Sequence, residues 1–119
     1  MQRHLRLRRK GDFAHLRQTG RVWRHPSLTV SVAPNHLNHN RYGFITSRQL
    51  GNAVTRNRVR RRLRAVVQEV HPHLLPGHDI ALIARSPAAD QSYRAIREAV
   101  ITIMQRAGLW ESSPGDTSR

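Results

Sequence analysis

Gly51-Asn-Ala-Val-Thr-Arg-Asn-Arg-Val-Arg-Arg-Arg-Leu-Arg64 opens the stretch whose reading decides the fold. From Ala53 to about Val70, apolar side chains recur at Val59, Leu63, Val66, Val67 and Val70. That spacing draws one stripe down a helix. Pro72 and then Pro76-Gly77 stop it. Six of the nine residues from Arg56 to Arg64 are arginine. On a helical wheel Arg60, Arg64, Asn57 and Arg61 run around one side of the stripe, and Arg58 and Arg62 lie on the other. Such a helix buries one face on a sheet and leaves the rest to something anionic, with its N-terminus adding partial positive charge and free N–H groups. A charged helical face is ordinarily just solvated. Here no acidic residue stands between Asp12 and Glu69, so no i,i+4 partner can neutralise the arginines from within the helix.

Working outward, Gln49-Leu-Gly-Asn52 separates the helix from a strand over Arg41 to Ser47, with Tyr42, Phe44 and Thr46 on one face and Gly43 and Ile45 on the other. The polar run Pro34 to Asn40 joins it to a strand over 27–33, in which Leu28, Val30 and Val32 alternate with Thr29 and Ser31. The alternation predicts a half-buried strand, and the short loop predicts that these two strands pair antiparallel. Arg21–Arg24 reads as a short strand of its own. A helix fits 9–18, with Phe13 and Leu16 on its inner side and Gly20 as its stop. On the far side, Asp79-Ile-Ala-Leu-Ile-Ala84 is a strand apolar on both faces. Asp90 is the expected N-cap of a last helix running to about Ala107, with Tyr93, Ile96, Val100, Ile103, Met104 and Ala107 on its apolar side and Gly108 after it. The order α-β-β-β-α-β-α predicts an α+β fold, an α/β sandwich with a four-stranded mixed sheet, whose central helix links two parallel strands. Residues 1–8 read as a basic arm, mobile unless RNA or the domain pins it; 9–110 read as one domain, and 111–119 as a disordered tail.

Composition agrees. The chain has 119 residues and a formal charge of +14, with Lys10 its one lysine. A surplus of that size calls for a polyanion, nucleic acid or an anionic membrane surface, and arginine's planar fork suits phosphate and stacks on bases. The absence of cysteine excludes a disulfide framework, a thiolate nucleophile and Cys-ligated zinc. No apolar run is long enough to span a bilayer and no h-region follows the basic start, so a cytoplasmic protein is expected. His36 and His39, and His71 and His73, lack neighbouring ligand residues and do not read as a zinc site. No Ser–His–Asp pattern surrounds Ser47, Thr46 or Thr55, and Asp12, Asp79 and Asp90 sit where strand and helix starts explain them.

The run from Gly51 to Arg64, with Arg56-Asn57-Arg58 inside Gly-Asn-Ala-Val-x-Arg-Asn-Arg, resembles the signature of the bacterial ribonuclease P protein family. The resemblance extends over roughly residues 5–110. Leu7 through Phe13 to Gly20 is similar to the family's opening helix, Tyr42-Gly-Phe-Ile-Thr-Ser-Arg48 to the strand before the signature, and Asp79 to Pro87 to the later central strand. It implies a left-handed β-α-β crossover, where topology rules alone favour a right-handed one. It also implies a job: the protein subunit of an endoribonuclease that removes the 5′ leader from precursor tRNA, tightening and broadening substrate binding and lowering the Mg²⁺ requirement. In that enzyme the RNA subunit and its Mg²⁺ carry the hydrolysis, so no catalytic residue is expected in the protein.

The implied partners are the catalytic RNA and the leader, with no membrane and no protein partner. RNA contact falls on Asn52, Arg56, Asn57, Arg58, Arg60, Arg61 and Arg64. The leader cleft takes Phe13, Arg17, Tyr42 and Arg48. No metal ligand is assigned, beyond ions organised near Asn57 through the RNA. The chain departs from the family at Arg17 and Ser31, where aromatics are usual; stacking is worth ~1–3 kcal/mol per base, so charge takes a larger share. The rival reading is a ribosomal-type or other structural RNA-binding protein of the same sandwich fold. A DNA-binding regulator lacks the preceding helix of a helix-turn-helix, and a self-sufficient nuclease lacks a carboxylate or histidine cluster.

Overall fold

The computed structural model describes residues 5–7 and 10–111, with Lys10 and Arg17 described by their backbones only. In chain order the elements are α1 (Lys10–Thr19), β1 (Arg21–Arg24), β2 (Leu28–Pro34), β3 (Arg41–Ile45), α2 (Ala53–Val70), β4 (His78–Ala84) and α3 (Tyr93–Arg106). The α-β-β-β-α-β-α order is the expected one, and α2 spans the residues its stripe marks out.

The sheet runs β1-β2-β4-β3. β4 pairs antiparallel with β2 and parallel with β3. The expected β2–β3 pairing is therefore corrected: β4 inserts between them. β4 is apolar on both faces, which suits the centre of a sheet, and the loop before β3 is tied around its start. Asn35 Nδ2 donates to Asp79 Oδ1 (3.0 Å) and to His39 O (3.1 Å). His78 N donates to Asn40 Oδ1 (2.8 Å), and Asn40 Nδ2 donates to Leu75 O (2.9 Å). The polar loop is thus a bridge across the end of β4, and β3–α2–β4 is the crossover between adjacent parallel strands.

Register sorts the side chains into rows. Trp23, Val30, Leu82 and Phe44 share one face with Arg21, Val32, Ile80 and Tyr42. This face meets Val59, Leu63, Val66, Val67 and Val70 of α2 and Ile96, Val100, Ile103 and Met104 of α3, all buried in one core. Small residues, Ala33 and Ala81, lie on the other face and admit α1, whose Leu16 packs there with Leu7. β2 is consequently covered on both sides at that end and is not the half-buried strand its alternation predicts; even Thr29 is buried. Arg41 anchors this layer, with Nε and Nη2 donating to the two Asp79 oxygens at 2.8 and 2.7 Å and Asp12 of α1 lying 3.6 Å away.

Two boundaries differ from expectation. The N-cap of α3 is Ser92, whose side chain accepts from Ala95 N; Asp90 instead ends a 3-10 turn, Ser86–Asp90. Tyr93 consequently lies on the exposed side of α3, its hydroxyl donating to Glu69. At the other end of α3 the Gly108 stop is found: φ is +76°, with Leu109 N donating to Met104 O and Gly108 N to Gln105 O. Residues 5–7 belong to the packed domain, since Arg6 bridges Tyr42 in parallel and Leu7 N donates to Tyr42 O at 2.8 Å. Beyond α3, Trp110 stacks on His73 with centroids 5.3 Å apart. The rest of the arm (1–4, 8 and 9) and 112–119 of the tail lie outside the described residues.

Candidate nucleic-acid interface

α2 starts where the chain turns sharply at Gly51, whose φ of +135° disfavours any other residue. Asn52 then caps it, its side-chain oxygen accepting from Thr55 N at 3.0 Å. With the apolar stripe buried, all of the helix's arginines but Arg56 divide into three sets. Arg60 and Arg64 lean toward the β3 edge. Arg60 Nη1 donates to Asn57 Oδ1 (3.0 Å) and its Nη2 to Thr46 Oγ1 (2.5 Å), while the Arg64 guanidinium lies 5.9 Å from the Phe44 ring centroid. Burial, then the charges of Arg6 and Arg60, hold Arg64 below its usual pKa. On the opposite flank Arg58 Nη2 donates to Ala89 O (3.0 Å) and Arg62 Nη1 to Gln91 O (2.6 Å), clamping the turn before α3. Arg61 and Asn57 stand exposed between the two flanks. Arg56 is partly buried, and its Nε is buried without a hydrogen-bond partner.

The cleft side of the sheet lies beside α1. Phe13 packs on Gly43, where a Cβ would come within 2.6 Å of the ring, so this strand position accepts only glycine while the ring stays there. Past α1, the row Arg24, Thr29, Ile83 and Ile45 continues the same face. A nook of about 140 Å³ at the β3 edge, lined by Arg6, Phe13, Phe44, Arg60 and Arg64 among others, joins this side to the arginines of α2. Among the described residues no three His, Asp or Glu side chains cluster to hold a metal, and no helix is long and apolar enough to cross a membrane.

A basic, signature-bearing helix seated on this mixed sheet matches known proteins throughout. The family model described as Ribonuclease P matches residues 1–108. The chain belongs to the ribonuclease P protein family. A ribonuclease P protein component of Roseiflexus sp. (strain RS-1) is 41% identical over 119 residues, 99% of this chain and 98% of that one. That of Herpetosiphon aurantiacus is 40% identical over 92% of this chain and 89% of its own. Among solved structures, the RNase P protein of Staphylococcus aureus superposes with a TM-score of 0.83 at 29% identity, covering 90% of this chain and 98% of that one. The RNase P protein of Thermotoga maritima, at 24% identity, shares the fold with a TM-score of 0.79, over 85% of this chain and 96% of its own. As a ribonuclease P protein, the chain is a subunit of an endoribonuclease, its family role is tRNA processing, and its partner is RNA.

Within this ribonuclease P protein fold the expected site residues do not all come together. Asn57, Arg60, Arg61 and Arg64 share one surface. Arg58 lies on the opposite flank with its guanidinium already engaged, and the Asn52 side chain is spent on the cap. In the cleft, Phe13 is where the sequence puts it, α1 carries Arg17, and Arg48 is exposed in a 3-10 turn before α2. Tyr42 is a correction. Its ring points to the α2 face, opposite Phe13, and is 1% exposed, with its hydroxyl 2.7 Å from His71 Nδ1. The alternation of the strand already puts Tyr42 and Gly43 on opposite faces, so no base can stack on that ring while the core is intact. Arg6, Leu7 and Thr46 are the contributors missed. The alternation Leu5-Arg6-Leu7 carries a strand-like signal for the first two, and nothing local marks Thr46.

Proposed function

We propose that this chain is the protein half of a ribonuclease P holoenzyme that cleaves precursor tRNA to release its 5′ leader, with the partner RNA being the catalytic RNA. The observation that carries the reading is the surface of α2: Asn57, Arg60, Arg61 and Arg64 lie around one groove, and the helix has no acid before Glu69. That surface lies against the catalytic RNA. The leader runs along the sheet face beside α1, past Phe13, Arg17 and Arg48, and reaches the arginines through the β3-edge nook. Ile83 and Ile45 offer it a shallow floor in place of Tyr42. With neither Tyr42 nor an aromatic at Ser31 facing the leader, its grip is mainly electrostatic.

Phosphodiester hydrolysis by a metal-bound water needs no protein nucleophile. Mg²⁺ supplies that chemistry, and the protein's residues are poor ligands for it: arginines surround Asn57, whose amide oxygen already accepts from Arg60. The ion therefore belongs to the RNA. The protein's part is to neutralise phosphate, hold the leader and let two polyanions approach at lower Mg²⁺ in the cytoplasm. A purely structural RNA binder would share the basic helix but gain nothing from a leader. The test is reconstitution: the purified protein is added to a bacterial ribonuclease P RNA and a precursor tRNA with a leader at low Mg²⁺. Faster 5′ cleavage is expected, and no gain at any Mg²⁺ concentration overturns the proposal.

A further inference from the structure

Val54 is an apolar side chain left on the surface of α2. It is 72% exposed, more than any other large apolar side chain among the described residues. It is a β-branched residue in the first turn of a helix, where alanine would be better. Val54, Asn57 and Arg61 fall at i, i+3 and i+7, one line along the outward crest of α2. Around them opens a groove of about 430 Å³, completed by Arg60 and Arg64.

The groove's polar chemistry is specific. An arginine can only donate, so the Arg60 Nη1 contact at 3.0 Å fixes which end of the Asn57 amide is oxygen. Arg60 is itself held by Thr46 Oγ1. The amide oxygen thereby faces Arg60, and the NH₂ of Asn57 has its two donors left to offer. The crest thus sets an apolar patch beside a pair of donors, inside a ring of guanidiniums.

We infer that Val54 and Asn57 seat one unpaired nucleobase of the partner RNA, the base face on Val54 and an acceptor on its edge, a carbonyl oxygen or ring nitrogen, on Asn57 Nδ2. Arg60, Arg61 and Arg64 take the flanking phosphates. A paired A-form segment does not fit this seat, because its base faces are stacked and its major groove is too narrow for side chains. A nucleobase has both an apolar face and a polar edge, which is what the crest offers. The inference rests on the RNA-binding reading above and adds a contact that is not electrostatic.

That addition makes it separable. Phosphate contacts set the slope of log affinity against log salt, whereas an apolar contact shifts affinity equally at every salt concentration. The full-length protein is titrated with a bacterial ribonuclease P RNA transcript over a salt series. The variants are Val54→Ala, Val54→Thr, Val54→Ile and Arg61→Ala. Val54→Ala and the isosteric Val54→Thr are expected to weaken binding about three- to tenfold at every salt with the slope unchanged. Val54→Ile is expected to bind as wild type does, and Arg61→Ala to flatten the slope by about one unit. Melting temperatures of the Val54 variants are expected to stay within a degree or two of wild type, as at an exposed position. If the Val54 variants bind as wild type does while Arg61→Ala is weakened, or if their losses follow a fall in melting temperature, the nucleobase seat is overturned and RNA binding stands. If wild type itself shows no salt-dependent binding, both readings fall.

Discussion

The Tyr42 phenol sits beneath α2, its oxygen 2.7 Å from His71 Nδ1 and 3.4 Å from Asn40 Nδ2. Burial pushes its pKa up to about 12, the Asn40 amide pulling the other way. An unfolded tyrosine ionises near pH ~10. The folded-state value is the higher one, so the stability that this group contributes is whole below pH ~10 and is lost as pH rises toward the folded value. Two pH units correspond to about 2–3 kcal/mol. Urea unfolding is therefore expected to show a falling alkaline limb of roughly that size. Tyr42→Phe should cost about 1–2 kcal/mol at neutral pH, through the lost hydrogen bond to His71, and should flatten that limb. A limb of unchanged depth in Tyr42→Phe would mean another group titrates there. The same side chain shows the limit of reading aromatics from sequence: Tyr42 fits a cleft by type, but register assigns it to the core.

At the scale of elements, α2 is legible because everything that defines it is local. Asn52 supplies the cap, five apolar side chains supply the stripe, and all five are buried as read. Leu63→Ala should cost about 2–5 kcal/mol in denaturant unfolding, since Leu63 is fully enclosed between sheet and helix; a loss below 1 kcal/mol would mean that the stripe is not the docking face. Strand pairing is not local. β3 and β2 are joined by a short loop, yet they do not pair: β4, supplied after α2, lies between them, and only the hydrogen bonds of Asn35 and Asn40 show why the loop spans it. The arginines fall between these cases. A wheel gives their angles but not what lies at each flank, and the carbonyls of Ala89 and Gln91 are invisible until α3 is placed. Arg58 and Arg61, alike in the sequence, should therefore part. Arg58→Ala should lose roughly 1–2 kcal/mol of stability and barely alter the salt slope of RNA binding, and Arg61→Ala should do the reverse. Thermal melts and salt titrations of the two variants separate these outcomes, and equal behaviour in both assays would return Arg58 to the RNA surface.

For the whole molecule the governing quantity is the net charge of +14. Folding draws these charges together: burial first, and then the charges of Arg6 and Arg60, hold the pKa of Arg64 down. The arginine-rich surface is thus a strain on the free protein, relieved by whatever brings phosphate to it. Simple salt acts on the two states in opposite directions. By screening repulsion it stabilises the free fold, and by competing with phosphate it weakens the complex. Raising sodium chloride from about 50 to 300 mM should therefore raise the melting temperature of the free protein. Over the same range RNA affinity should fall with a log–log slope of roughly −4 if about six phosphates are met with the single-strand coefficient. Scanning calorimetry and filter binding on one preparation measure both. A melting temperature that falls with salt would show that attractive pairs such as Arg41–Asp79 outweigh the repulsion. A flat binding curve would show that the arginines do not meet phosphate. Opposite signs are the signature of a surface whose charge is complete only in the assembly.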